Sequence, residues 1–153
     1  MNEVIRVSAR GEISIHEYPH SIDACRELAS LISEDCRYIE RVRPERLYSV
    51  FHCCDTPDPK TPGRSVCMLV DEEFLLKEKP PEFNLVASWL YGCDVHGQPI
   101  LGNVLFVGEC IASNGGIDFS GLDGFTGLAL LCNLETVCTK LKQLEKGGKR
   151  YVL

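Results

Sequence analysis

The sequence predicts an α+β fold, a mostly antiparallel sheet with helices on one face and a long C-terminal helix. Three observations carry this. The chain opens on two short alternating runs joined by a glycine turn. A run of four apolar residues, 104–107, reads as a strand buried on both faces. Near the end, Leu130, Leu134, Val137, Leu141 and Leu144 recur at 4-3-4-3 spacing, the stripe of an amphipathic helix. Strands in hairpins, interrupted by helices, favour this layered class.

The elements follow in order. Residues 4–9 alternate, with Ile5, Val7 and Ala9 on one face, and Ile13 and Ile15 alternate after the Gly11-Glu12 turn, predicting a β-hairpin. Ser21 is placed to cap a helix whose apolar positions are Cys25, Leu28, Ala29 and Ile32. Residues 38–42 and 47–53 read as short strands around Pro44. Residues 55–64 (DTPDPKTPGR) hold three prolines and a glycine, which exclude a helix or a central strand and predict an exposed loop.

Residues 66–70 read as a strand, 71–73 as a turn and 74–76 as the returning strand. Asn84 is placed to cap a short helix over 85–91 that carries Trp89. After the Gly97-Gln98-Pro99 turn, 100–107 reads as a strand, and Asn114-Gly115-Gly116 turns the chain. The last helix runs from about Gly124 to Lys146. Ser120 and Asp123 resemble a capping box at its start, and Gly147-Gly148 supply its C-cap. Its leucine stripe offers a route to a homodimer through the C-terminal helix, although about three heptads fit packing on the chain's own sheet better.

At 153 residues the chain is expected to form one α+β domain over 1–153, a core over 1–122 followed by the C-terminal helix and a short tail over 123–153. Apolar residues make up 44% and charged residues 25%, as in ordinary globular chains. A net charge of −6 gives no global basic footprint, so nucleic acid is not expected as a direct ligand. The N-terminus lacks the apolar segment of a signal peptide, and no run approaches a membrane span. A cytoplasmic location with no membrane contact is the resulting expectation. The nine cysteines should then be reduced. Most should act as small buried hydrophobes, with Cys25, Cys132 and Cys138 on apolar helix faces.

Candidate chemistry is sparse. Cys93 and His96 form a C-x-x-H pair that one tight turn can present to zinc, and His52, Cys53 and Cys54 are the nearest further ligands. The structural alternative is a solvated His96 and a buried Cys93 thiol, and no second ligand pair supports the metal. Zinc is thus a minor candidate, and no cofactor is expected. A cysteine nucleophile would need a histidine base, and no local signature of one is present. GLDGFTG (121–127) leads into the long helix but lacks the Lys-Ser/Thr of a P-loop, so a flexible helix entrance explains it. The basic residues of 135–150 read as a solvated helix terminus without a stacking platform.

The order of several short motifs resembles a family of uncharacterised small domains encoded by phages, plasmids and conjugative elements of Gram-positive bacteria. They are a D/N-E turn between strands (Val70-Asp71-Glu72-Glu73-Phe74-Leu75), a loose Pro-x-Asn step (Pro80 to Asn84), a Pro-Ile-x-Gly-Asn strand ending in Val-Gly (Pro99 to Gly108), and Asp118-Phe119-Ser120-Gly121-Leu122. The resemblance covers roughly residues 4–122. The 55–64 loop and the long helix lie outside the pattern. It implies no catalytic residues but does imply a setting, a small accessory protein that binds a host component.

Three functional expectations follow. The first is a non-enzymatic phage or mobile-element accessory protein that binds, and inhibits, a host defence component of the restriction, CRISPR or nucleotide-signalling type. Its partner would be a host or element-encoded protein, met by the 55–64 loop and the 93–98 turn. The second is a small-molecule or nucleotide-binding domain using Gln98, Asn103 and the glycine-rich 114–127 region. The third is a zinc-containing domain or metal-dependent enzyme on Cys93 and His96. Across these readings the candidate binding residues are Asp58, Lys60, Arg64, His96, Gln98 and Asn103.

Overall fold

The computed structural model describes residues 2–51 and 62–146. It contains β1 (Glu3–Val7), β2 (Ile13–Glu17), α1 (Ala24–Ile32), β3 (Ile39–Val42), α2 (Glu45–Ser49), β4 (Ser65–Asp71), α3 (Leu85–Tyr91), α4 (Cys93–His96), β5 (Val104–Ile111), β6 (Ile117–Ser120) and α5 (Gly124–Lys146). The six strands form one antiparallel sheet in the order β2-β1-β5-β4-β3. β1 pairs with the first half of β5, Val7 opposite Val104, and β6 continues along the same side of β5, Ser120 opposite Gly108. The α+β class, the opening hairpin and the start of the long helix at Gly124 are as the sequence predicts.

The two central strands explain the layering. In β4, Val66, Met68 and Val70 enter one core while Cys67 and Leu69 enter another. In β5, Val104 and Phe106 face the first, Leu105 and Val107 the second, and all four are fully buried. A sheet apolar on both faces must be covered on both. α2, α3 and α5 cover the first face, and α1 covers the second with Leu28, Ala29 and Ile32. This corrects the expectation that the helices share one face. Each fully buried side chain of this size contributes roughly 1.5–3 kcal/mol.

α5 places Leu130, Leu134, Val137 and Leu141 in the chain's own core. The leucine stripe is therefore occupied within the molecule. Cys138 joins it, but Cys132, two residues from both Leu130 and Leu134, lies on the opposite side and is exposed. Cys25 is exposed as well, because the apolar contact of α1 begins a turn later at Leu28. Both are corrections to the expected burial.

Five local readings also differ. Residues 47–51 are not a strand: Leu47 and Phe51, four apart, are both fully buried, and Pro44 starts helix α2. The rest of that predicted strand lies outside the described residues. Residues 72–76 form turns and not a returning strand; Phe74 N–H donates to Asp71 O and Leu76 N–H to Glu73 O. The strand predicted from residue 100 begins at Val104, after a break at Gly102, whose φ is 85°. Ser21 does not cap α1, since Asp23 is the N-cap and makes no side-chain cap bond. Ser120 ends β6 and donates to Gly121 O instead of capping α5. The proposed C-cap at Gly147-Gly148 lies outside the described residues.

Asn84 caps α3 as expected and does more. Its Oδ1 accepts from Ala87 N–H at 3.0 Å, while its Nδ2 donates to Val7 O and Gly102 O. One buried amide thus ties α3, β1 and the approach to β5 together. At Gly108 the backbones pass so closely that an added Cβ would lie 2.5 Å from Gly121 O.

Candidate functional site

The turn after α3 is the most constructed exposed feature of the described residues. Gly92 and Gly97, at φ 88° and 78°, bracket the four residues of α4. A helix this short cannot hold its own shape, and side chains supply the order. His96 Nδ1 accepts from Gln98 N–H at 3.0 Å. Its Nε2 must then carry the proton, and it donates to Tyr91 O at 2.7 Å. The imidazole also packs edge-on against the Tyr91 ring at 4.9 Å. Arg46 of α2 grips Asp94 through bonds of 2.6 and 2.9 Å, donates to Trp89 O, and lies 4.9 Å over the Trp89 ring. That pairing holds the Asp94 carboxyl below its ordinary pKa and raises that of Arg46.

The result is a hydrogen-bonded projection that carries Val95, 79% exposed. Cys93 is partly buried at its base, and its burial raises the thiol pKa. Both nitrogens of His96 already serve the backbone, so metal ligation there would break one of those bonds. Among the described residues no group of three or more His, Cys, Asp or Glu is placed to hold a metal ion. His52, Cys53 and Cys54 lie outside the described residues, as do Asp58 and Lys60.

The remaining candidates are scattered. Arg64 is exposed just before β4. Gln98 is exposed beside His96. Asn103 serves the fold: its Oδ1 accepts from Ala9 N–H and its Nδ2 donates to Ile32 O, fastening the end of α1 to the sheet. It lines a hollow of about 530 Å³ that includes neither Gln98 nor any residue of 114–127.

Two buried carboxylates had no signal in the sequence. Glu109 on β5 is fully buried. It accepts from Ser65 Oγ at 2.9 Å and from Arg43 Nη2, and Arg41 Nε faces it at 3.2 Å without hydrogen-bond alignment. Arg41 also stacks 4.6 Å over the Phe119 ring. Asp71 binds Lys77 at 2.9 Å, and the same ammonium reaches Asp35. In both places the charge is neutralised inside the fold. Burial also pushes the Cys67 thiol up to about 12, Cys36 to about 11 and the Tyr18 phenol to about 12. These groups stay protonated near neutral pH, which suits packing more than nucleophilic attack.

No helix of the described residues is long and apolar enough to cross a membrane. Comparison with protein-family models, curated proteins and solved structures gave no match.

Proposed function

We propose that the protein is a non-enzymatic binding protein of a phage or mobile element that acts stoichiometrically on a host defence component, with the Tyr91 to Gln98 projection as its principal contact surface. The observation that supports this reading is the network of side-chain hydrogen bonds that orders the segment from Tyr91 to Gln98. An apolar side chain, Val95, stands in solvent on a segment where Arg46, Asp94 and His96 side chains tie α4 to α2 and to the backbone carbonyls of α3. A surface ordered before contact loses little entropy on binding. The resemblance of residues 4–122 to mobile-element domains supplies the setting.

Tyr91 and Val95 offer an apolar centre, and Asp94, His96 and Gln98 offer a polar rim, the usual anatomy of a protein contact. The 55–64 loop is the second surface of the proposal, and it reaches the described residues only at its C-terminal end. The test is phage challenge of Gram-positive hosts carrying single restriction, CRISPR or nucleotide-signalling defences, with and without this protein. Relief of one defence, together with co-purification of a component of that same defence, is the expected result. Unchanged plating on every defended strain counts against the proposal.

A further inference from the structure

The β1–β2 turn, the loop before α3 and the C-terminal turns of α5 border a half-open cavity of about 760 Å³, within the range of small-molecule sites. Phe83, Leu85, Val86 and Cys138 line its apolar part. The Cys138 thiol is already satisfied, donating to Gly11 O at 3.2 Å. Arg10, Lys142 and Lys146 supply cations to the lining, against the carboxylates of Glu82 and Glu145.

These charges are not equally engaged. Arg10 and Glu82 pair with each other at 3.4 Å, both largely exposed, so the pair is weak and easily exchanged. Among the described residues Lys142 and Lys146 belong to no ion pair. Lys142 extends across the β1–β2 turn, where a Cβ on Gly11 would lie 3.0 Å from its Cε and 3.4 Å from its Nζ. Its ammonium therefore stands at the cavity and not over its own helix end. With Arg10 and Glu82 cancelling, two lysines face one glutamate on a protein whose net charge is −6.

We propose that this cavity binds a small organic anion with an apolar body. The body lies on Phe83, Leu85 and Val86, and the anionic head meets Lys142 and Lys146, with Arg10 released from Glu82 to join them. This site is separate from the projection around Val95 and does not depend on the function proposed for it.

The probe is anilinonaphthalene sulfonate, an aromatic anion, beside its uncharged parent phenylnaphthylamine, followed by fluorescence titration. One sulfonate should bind per protein, and more tightly than the parent. Lys142→Glu should weaken it roughly tenfold, while Lys140→Glu, the same charge change on the exposed side of α5, should leave it within about twofold. Lys142→Gln gives the same comparison should the glutamate variant fold poorly. Displacement of the dye by a nucleoside monophosphate would identify a nucleotide-like ligand, and displacement by a medium-chain fatty acid an aliphatic one. No saturable binding, equal effects of the two glutamate variants, or displacement by neither competitor would mean adventitious dye binding only and overturn the proposal.

Discussion

Arg46 and Asp94, forty-eight positions apart, join through two parallel hydrogen bonds of 2.6 and 2.9 Å. The same guanidinium covers the Trp89 ring and donates to Trp89 O. One side chain from α2 thereby fixes both the end of α3 and the whole of α4. Only arginine offers this combination of fork and planar stack. Arg46→Lys should therefore destabilise the protein by about 1–2 kcal/mol. It should also speed amide exchange at residues 92–98 more than in the sheet. Urea unfolding and hydrogen exchange check the two parts separately.

Asp94 also sets a pH dependence. Its hydrogen bonds from Arg46 lower its pKa in the folded state below the ordinary value of about 3.9. The stability this contributes is complete above about pH 4 and is lost as pH falls through the depressed folded value. Asp94→Asn should melt below the wild type at neutral pH. The gap should close as the solution is acidified below about pH 4, which paired melting curves would show.

Glu109 tests the buried cluster. Glu109→Gln keeps the shape but leaves Arg41 and Arg43 without their anion. Breaking one side of such a pair costs about 3–5 kcal/mol, and the lower end applies because both arginines keep a path to solvent. The urea midpoint should fall with an unchanged slope.

Asn84 separates capping from bridging. Asn84→Ala removes a cap and leaves Val7 O and Gly102 O without their shared donor, a loss of about 3 kcal/mol. Asn84→Asp keeps the cap acceptor but turns a carboxylate toward two carbonyls. It should be at least as destabilising as the alanine variant in the same unfolding assay.

Periodic features were readable from the chain. The α5 stripe and the Asn84 cap are local patterns, and each matches its element. The errors came where a short apolar run fits two periods. Leu47 and Phe51 sit at helical spacing, yet the run around them reads equally as a strand. Phe74 is apolar enough for a strand but follows an Asp71 whose Oδ1 takes up Glu73 N–H and begins a turn. The candidate site was only half legible. The 93–98 segment stood out by its glycines and its C-x-x-H pair, but the residue that orders it, Arg46, comes from another helix. Asn103, which the sequence offers as a ligand donor, fastens the end of α1 to the sheet through both ends of its amide. Glu109 gave no warning, because its partners Arg41 and Arg43 reach it only after β3 pairs with β4.

Plating efficiency on the defended strain that the protein relieves, measured for the wild type and for Val95→Asp, tests whether the projection is the contact surface. Val95 is exposed, so the variant should fold and melt within a few degrees of the wild type. Loss of the relief of defence together with loss of the co-purified component is the expected result. A folded Val95→Asp protein that relieves the defence as fully as the wild type would contradict it.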